Sequence, residues 1–184
     1  MSEGSAKLGS RRVYTGRIFN VDIDTVRFPD GSTGELEMVR HSGASAVLPF
    51  LGDPAGEDPQ ILLVRQYRYA AEGYVYEVPA GRLDPGESPL ECARRELEEE
   101  TGCTAARVEP LTTIYTTPGF TDDRIHLFMA VGLTNGEHRR ERDEFMEVET
   151  LPLSRALELV ERGEITDAKT VVTLLYAAGY RAGR

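Results

Sequence analysis

The chain has 184 residues, with 21 basic and 31 acidic side chains, a formal net charge of −10 and 40% hydrophobic residues. This composition is typical of a globular domain with enough apolar material for a core. The longest apolar runs, at 46–51 and 171–178, are far shorter than the about 20 residues that span a bilayer. The negative charge opposes non-specific binding to nucleic acid or to an anionic membrane, so we expect neither as a partner.

The N-terminal residues and the two cysteines indicate the cellular location, and the chain divides into three segments. The first residues lack the apolar segment of a secretory signal. The two cysteines, Cys92 and Cys103, are too few for a disulfide framework, so we expect a cytoplasmic protein. We expect a disordered leader over residues 1–12, an N-terminal β element over 13–43 and the main domain over 44–184.

Strand-like and helical patterns alternate along the chain. A strand-like pattern covers 13–37 and is interrupted by a turn at Pro29, Asp30 and Gly31. Further strands are predicted in five places: 44–51, 61–69, 74–81, 107–117 and 124–133. Residues 52–60 are rich in Gly, Pro and acid and predict an exposed loop. With helices predicted at 154–162 and 167–180, the pattern favours a mixed α/β sandwich.

The best-marked helix is predicted over Pro89–Thr101. Ser88 is a good N-cap, and Glu91 three residues later completes a capping box. Gly102 supplies the left-handed residue that ends a helix. One stripe of this helix is apolar and should face the core: Leu90, Ala93 and Leu97. A second stripe, which we expect to be exposed, carries three carboxylates: Glu96, Glu99 and Glu100.

The three carboxylates allow two interpretations. A run of Glu on a helix is usually a solvated face. However, these like charges repel one another and lie near the C-terminal end of the helix, where the helix dipole disfavours negative charge. Hard divalent cations prefer oxygen ligands, so a cation site is the alternative.

A sequence motif favours the cation site. The segment GRLDPGESPLECARRELEEETGC, from Gly81 to Cys103, matches the Nudix box, G-x5-E-x7-R-E-U-x-E-E-x-G-U. The matching residues are Gly81, Glu87, Arg95, Glu96, Leu97, Glu99, Glu100 and Gly102. Only the last position departs, because Cys103 replaces an aliphatic residue, and a small buried thiol behaves as a hydrophobe. The chain therefore resembles the Nudix hydrolases.

The resemblance implies a fold and an assembly. The expected fold is a Nudix-type α/β/α sandwich with a mixed sheet, formed by residues 44–184. The N-terminal antiparallel β hairpin or sheet would be used in dimerisation, so the resemblance implies a homodimer.

The resemblance also implies the chemistry, which is water attack on a pyrophosphate phosphorus with Mg²⁺ as cofactor and Mn²⁺ as a substitute. The implied metal ligands are the carbonyl of Ala80 and the carboxylates of Glu96, Glu99 and Glu100. Arg95 would orient the carboxylates. Glu87 would brace the loop or bind a further metal.

The segments flanking the box narrow the substrate. EVPAG, RQYR and TTPGFTDDRIHLFMA resemble the corresponding segments of ADP-ribose pyrophosphatases. The leading hypothesis is hydrolysis of ADP-ribose to AMP and ribose 5-phosphate. The alternatives are a broader ADP-sugar, GDP-mannose or FAD diphosphatase, and a non-catalytic sensor that binds ADP-ribose.

Seven residues are candidates for binding the nucleoside diphosphate sugar: Arg68, Ile18, Phe19, Arg40, Glu77, Pro118 and Gly119. Arg68 would hold a phosphate, which its guanidinium can bind bidentately, or the terminal ribose; otherwise it is a salt-bridging strand residue. Glu77 would contact substrate or metal, or equally be the buried partner of an arginine. Ile18 and Phe19 would lie against adenine, or simply pack the sheet.

The general base is expected on the acidic loop within 138–151, before a late strand. The resemblance points to Glu144, with Glu141 and Asp143 as neighbours able to substitute. A charged loop is usually only a solvated loop.

Overall fold

A computed structural model describes residues 6–136 and 146–182, which form two compact units. The N-terminal unit contains the residues up to Gly43 together with Tyr115–Arg124. The larger unit contains Ala44–Ile114 and the residues from Ile125 onward.

Three antiparallel strands in the order β1-β2-β3 form the sheet of the N-terminal unit: β1 (Ala6–Thr15), β2 (Asn20–Arg27) and β3 (Thr33–Arg40). Two buried carboxylates on β2, Asp22 and Asp24, pair with basic side chains of the two neighbouring strands, β1 and β3. Arg40 on β3 contacts both carboxylates, and Nζ of Lys7 on β1 lies 3.0 Å from Oδ1 of Asp24. Burial alone would raise the pKa of Asp24, but hydrogen bonds from Ser10, Lys7 and Arg40 lower it to about 2. Paired charges thus take the place of apolar packing on this part of the sheet.

The predicted disordered leader over 1–12 is wrong for residues 6–12, because β1 begins at Ala6. The segment contains few apolar residues, but its polar side chains bind across to β2. Ser10 donates to Asp24, at 2.6 Å, and Arg12 pairs with Asp22. Such cross-strand pairing stabilises a strand that hydrophobic patterning does not reveal.

The larger unit contains the remaining strands, apart from Tyr115 and Arg124 at the ends of two of them, and all three α-helices of the described chain. The strands are β4 (Ala44–Leu51), β5 (Gln60–Arg68), β6 (Gly73–Glu77), β7 (Ala80–Arg82), β8 (Cys103–Tyr115), β9 (Arg124–Asn135) and β10 (Met146–Pro152). The helices are α1 (Pro89–Thr101), α2 (Leu153–Glu161) and α3 (Ala168–Ala182). None of them is long and apolar enough to cross a membrane.

The sheet of the larger unit is mixed. Its order is β10-β5-β4-β9-β8, with β6 paired to β5 and β7 paired to β4. The pair β4–β9 is parallel, whereas β5 runs antiparallel to β4, β6 and β10. This topology confirms the predicted fold class.

Helices cover both faces of this sheet. On one face, Ala93 and Leu97 of α1 pack in one apolar cluster with Val47 and Leu62. On the other face, α2 and α3 contribute to a second cluster that contains Leu48 and Leu63. Adjacent strand residues face opposite layers, so the nearly continuous apolar runs of β4 and β5 supply both clusters. The result is the predicted α/β/α sandwich.

The predicted strand over 74–81 is broken in two. Strand β6 pairs with β5, and after Val78 and Pro79 the chain pairs as β7 with β4. Proline has no N–H to donate to a ladder, and here its carbonyl accepts from the Val47 amide at 2.9 Å. The switch of partner places Ala80 and Gly81 beside α1.

Helix α1 has the predicted bounds and caps. Ser88 and Glu91 form both hydrogen bonds of the capping box, and Gly102 ends the helix with φ of 70°. The prediction that Leu90 faces the core is wrong, because this side chain is 40% exposed. Leu90 lies at nearly the same angle around the helix as the buried Leu97. The two side chains therefore differ in exposure because of their positions along the helix axis. The apolar cluster that covers Ala93 and Leu97 does not include Leu90.

This difference predicts unequal costs for the same truncation on one helix. We expect Leu97→Ala to lower the free energy of unfolding by about 2–5 kcal/mol, because it opens a cavity at a fully buried site. Leu90→Ala is the matched control and should change it by within about 0.5 kcal/mol. Urea unfolding followed by circular dichroism measures both, and equal losses would contradict the described packing.

Candidate active site

A cavity of about 280 Å³ in the larger unit brings together most of the residues predicted from the box and from β5. It is lined by Gln66, Arg68, Ala80, Gly81, Arg82, Asp84, Arg95, Glu96, Glu99 and Glu100. Three parts of the fold supply them: the end of β5, the segment that begins with β7, and the acidic stripe of α1. The lining is mostly polar and carries charges of both signs.

The acidic stripe is not exposed as predicted. Glu96 is 9% exposed and Glu100 is 4% exposed, while Glu99 is partly buried. A buried carboxylate is costly unless it is hydrogen-bonded or paired. The Ala80 amide donates to Oε2 of Glu100, at 3.2 Å, so β7 stabilises that carboxylate.

Gly81 allows β7 to approach the helix closely. A Cβ at this position would lie 1.9 Å from Oε1 of Glu96 and 2.2 Å from its Cδ. Any side chain would therefore displace the Glu96 carboxylate. The glycine of the motif is explained by this steric contact.

Arg95 links the acidic stripe to the preceding loop. Its Nη1 donates to Glu96, at 2.5 Å, and to Glu99, at 3.0 Å, while its Nε donates to Glu87, at 2.8 Å. The hydrogen bond with Glu87 and the neighbouring carboxylates raise the pKa of Arg95. The same bond, together with the Asp84 amide, lowers the pKa of Glu87 to about 2. Glu87 therefore braces the loop, the first of its two predicted roles.

The exposed Arg68 and the buried Glu77 form an ion pair to which a third residue, Lys169, also belongs. Arg68 donates through Nε, at 2.5 Å, and Nη2, at 2.9 Å, to the Glu77 carboxylate, and Lys169 of α3 contacts the same carboxylate. Glu77 is 3% exposed, yet these two cations lower its pKa. Both alternative interpretations thus hold, since Arg68 is salt-bridged and Glu77 is the buried partner of an arginine. Arg68 also lines the cavity, so phosphate binding by its guanidinium stays a prediction.

The chemistry of the cavity lining suits a hard divalent cation, although the carboxylates are not already arranged to bind one. Within residues 6–136 and 146–182, no three acidic, histidine or cysteine side chains converge closely enough to hold a metal ion. Arg95 already engages Glu96 and Glu99. The available donors are nevertheless the carboxylate oxygens that Mg²⁺ prefers, and two of these carboxylates are buried. Gln66 belongs to the same lining, and its buried Oε1 has no hydrogen-bond partner among the described residues.

Several predicted binding residues lie in the N-terminal unit. Ile18 is 57% exposed, and Phe19 is 41% exposed and lies near Tyr14, with 5.8 Å between ring centroids. Neither is buried in the sheet. Pro118 and Gly119 lie in an exposed turn. Their roles in substrate binding stay predictions.

Arg40 is already bound within its unit. Its guanidinium contacts Asp22 and Asp24, and its Nη1 donates to Asp122 at 3.0 Å. These bonds raise its pKa against the opposing effect of burial. A substrate contact through Arg40 stays a prediction.

The predicted base, Glu144, lies outside the described residues, as do its alternatives Glu141 and Asp143. The sequence analysis also missed two residues beside the site, Gln66 and Lys169. Gln66 lies two residues before Arg68 on β5, so the two side chains share one face of the sheet. This shared face was a signal that could have identified Gln66. No local signal marks Lys169, which reaches Glu77 from 92 residues away.

Comparisons with known proteins agree with the motif. The sequence profile of the NUDIX domain matches residues 40–174. The ADP-ribose pyrophosphatase of Bacillus subtilis (strain 168) is 39% identical over 171 residues, which is 92% of this chain and 90% of that protein. A GDP-mannose pyrophosphatase of Salmonella paratyphi B is 42% identical over 130 residues, 63% of this chain and 65% of that protein.

A solved structure agrees with the fold. The crystal structure of an ADP compounds hydrolase superposes with a TM-score of 0.81 at 25% identity. The match covers 98% of this chain and 96% of that one.

The bond between Glu87 and Arg95 predicts a pH dependence of stability. The pKa of Glu87 is lowered from its ordinary 4.5 to about 2, so its ionised form stabilises the folded state. This contribution is complete above pH 4.5 and is lost as the pH falls through about 2. We expect wild type to exceed Glu87→Gln in free energy of unfolding at pH 7, and this difference to shrink below pH 4.5.

The matched control is Glu161→Gln, at an exposed position on α2. Chemical unfolding from pH 7 to pH 2.5 gives both differences. A difference for Glu87→Gln that stays constant over this range would contradict the assignment.

Proposed function

The chain belongs to the NUDIX domain family, and from that premise we propose that it hydrolyses the pyrophosphate bond of ADP-ribose to AMP and ribose 5-phosphate. The observation that carries the proposal is the cavity in which the buried carboxylates of Glu96 and Glu100 share one lining with Arg68. The relative from Bacillus subtilis supports the choice of substrate, because it is an ADP-ribose pyrophosphatase that aligns with 92% of this chain.

The cofactor of the proposed reaction is Mg²⁺, with Mn²⁺ as a substitute. A bound divalent cation shields the pyrophosphate oxygens and lowers the pKa of a bound water. The residues that would hold it are Glu96, Glu99 and Glu100 with the carbonyl of Ala80. In the described arrangement Arg95 neutralises two of these carboxylates, so cation binding has to loosen its contacts with Glu96 and Glu99.

The protein groups have separate tasks in this proposal. Arg68 binds a phosphate or the terminal ribose with the part of its guanidinium that faces the cavity, while Glu77 fixes its orientation. Arg95 positions the carboxylates and ties them to the loop through Glu87. Glu144 takes the proton of the attacking water, and Glu141 and Asp143 are its alternatives.

A second candidate is a broader diphosphatase of ADP-sugars, GDP-mannose or FAD that uses the same machinery. The identity of 42% with a GDP-mannose pyrophosphatase favours this candidate over other substrates. A non-catalytic sensor of ADP-ribose is disfavoured, because a domain that only binds the nucleotide has no need for the buried carboxylates of Glu96 and Glu100.

The N-terminal unit supports a homodimer as part of the proposal. Its strands and turns carry large apolar side chains that are exposed to solvent: Leu8, Val13, Tyr14, Ile18, Phe19 and Leu36. Association of two copies would remove such a surface from water. Both cysteines, Cys92 and Cys103, are free and buried, which supports the proposed cytoplasmic location.

The substrate is tested by a panel of nucleotides. Purified protein with Mg²⁺ is incubated with ADP-ribose, ADP-glucose, GDP-mannose, FAD and NADH, and the products are separated by chromatography. We expect the highest kcat/KM for ADP-ribose, with AMP as product and complete loss of turnover in EDTA. A higher kcat/KM for GDP-mannose or FAD would favour the second candidate, and binding of ADP-ribose without cleavage would favour the sensor.

A matched pair of substitutions on α1 tests the carboxylates. We expect Glu100→Gln to lower kcat by at least about 100-fold at saturating Mg²⁺, because it removes a charged ligand of the cation. Glu98→Gln changes the same residue type two positions away, outside the cavity lining, and should leave kcat within about twofold. Melting temperatures of both variants check the fold. A near-normal rate for Glu100→Gln would overturn the ligand assignment.

A further inference from the structure

Gln66 is a buried polar residue whose acceptor atom has no partner. The side chain is 7% exposed, and Oε1 makes no hydrogen bond within the described part of the chain. Buried side-chain oxygens are nearly always hydrogen-bonded, because leaving one unsatisfied costs its desolvation free energy. A residue retained at this cost on a central strand calls for a ligand that supplies the missing contact.

The position of Gln66 on β5 directs it toward the acidic stripe. Its backbone pairs with Met146 of β10 on one side and Val75 of β6 on the other, so the strand is held at both edges. Side chains two residues apart share a face, and Leu62 on this face packs with Leu97 of α1. Gln66 accordingly lines the same cavity as Glu96 and Glu100.

The chemistry of the cavity selects the kind of ligand. An amide oxygen needs a donor, and two arginines of the lining donate elsewhere: Arg68 to Glu77, and Arg95 to Glu87 and α1. A pyrophosphate brings acceptors only, so it cannot supply the contact. A hydrated divalent cation brings O–H donors, and the carboxylates beside Gln66 are the groups that attract it. A sugar hydroxyl also donates, but it gives no reason for buried carboxylates in the same lining.

We infer that Gln66 is a positioning residue for the cation, whose Oε1 accepts a hydrogen bond from a water bound to a divalent metal held by the α1 carboxylates. This inference rests on the proposed metal-dependent function. It adds a contact to the hydrated cation from β5 of the sheet, on which α1 packs. A water that accepted this orientation from Gln66 of β5, on a cation held by α1, would have less freedom to rotate. The strand that carries Arg68 would thus also position the cation.

The test measures metal binding without substrate or turnover. Mn²⁺ is titrated into the full-length protein, and the free ion is quantified by electron paramagnetic resonance. We expect Gln66→Leu to weaken Mn²⁺ binding about tenfold, as for other groups that orient a metal ligand through hydrogen bonds. The matched control is Gln60→Leu, which changes the same residue type on the same strand outside the cavity, and its Mn²⁺ affinity should match wild type.

Two readouts separate this role from a structural one. Since Gln66→Leu removes an unsatisfied buried oxygen, the melting temperature of the metal-free protein should stay equal or rise. Gln66→Glu keeps an acceptor at the site and should bind Mn²⁺ at least as tightly as wild type. This second variant keeps the test decisive should Gln66→Leu fail to fold.

Other outcomes would overturn the inference. Unchanged Mn²⁺ affinity in Gln66→Leu with a raised KM for ADP-ribose would assign the contact to a substrate hydroxyl. Weaker Mn²⁺ binding in Gln66→Glu would show that the amide donates rather than accepts. The proposed function fails separately, since weaker Mn²⁺ binding in Gln66→Leu without hydrolysis of ADP-ribose by the wild type would uphold the role of Gln66 and overturn the substrate.

Discussion

The burial of negative charge on one face of α1 is the constraint that the larger unit has to satisfy. Two carboxylates, Glu96 and Glu100, lie almost wholly out of water in the C-terminal half of the helix, toward the end where its dipole is unfavourable to them. Each is stabilised from a different direction, Glu96 by Arg95 and Glu100 by the Ala80 amide. Gly81 leaves room for the Glu96 carboxylate, because a Cβ at this position would lie 1.9 Å from its Oε1. The arrangement of α1, the preceding loop and β7 therefore stabilises two buried negative charges.

Strand β5 connects this charged region to the core. Its first half supplies apolar side chains to both layers, with Leu62 toward α1 and Leu63 toward α2 and α3. Its second half continues the α1 face with Gln66 and Arg68, which line the cavity. A well-packed strand holds polar side chains more rigidly than a loop does. The same packing that stabilises the sandwich therefore positions the groups that would meet a phosphate or a cation.

The second charged group of the larger unit extends the site toward α3. Glu77 accepts from Arg68 and Lys169, and Thr170 accepts a hydrogen bond from the Val78 amide at 2.9 Å. The start of α3 thus fixes the segment that leads into β7, immediately before Ala80. The charged side chains of Arg68, Arg95 and Glu96, which line the cavity, are already paired, so an anionic substrate with its cation has to exchange partners with existing contacts. Specificity can arise from that exchange, since a poorly matched ligand leaves buried charges unpaired.

The sequence by itself determined the family, the mixed α/β sandwich, the caps of α1 and the three carboxylates that form its acidic stripe, because periodicity, capping residues and the box are local patterns. Three features were decided by tertiary structure alone: the burial of Glu96 and Glu100, the exposure of Leu90, and the strand at residues 6–12. Each depends on what a distant segment places opposite the residue, such as β7 beside α1 or the aspartates of β2 beside β1. Local sequence specifies which residues share a face, but only the packed chain decides what covers that face.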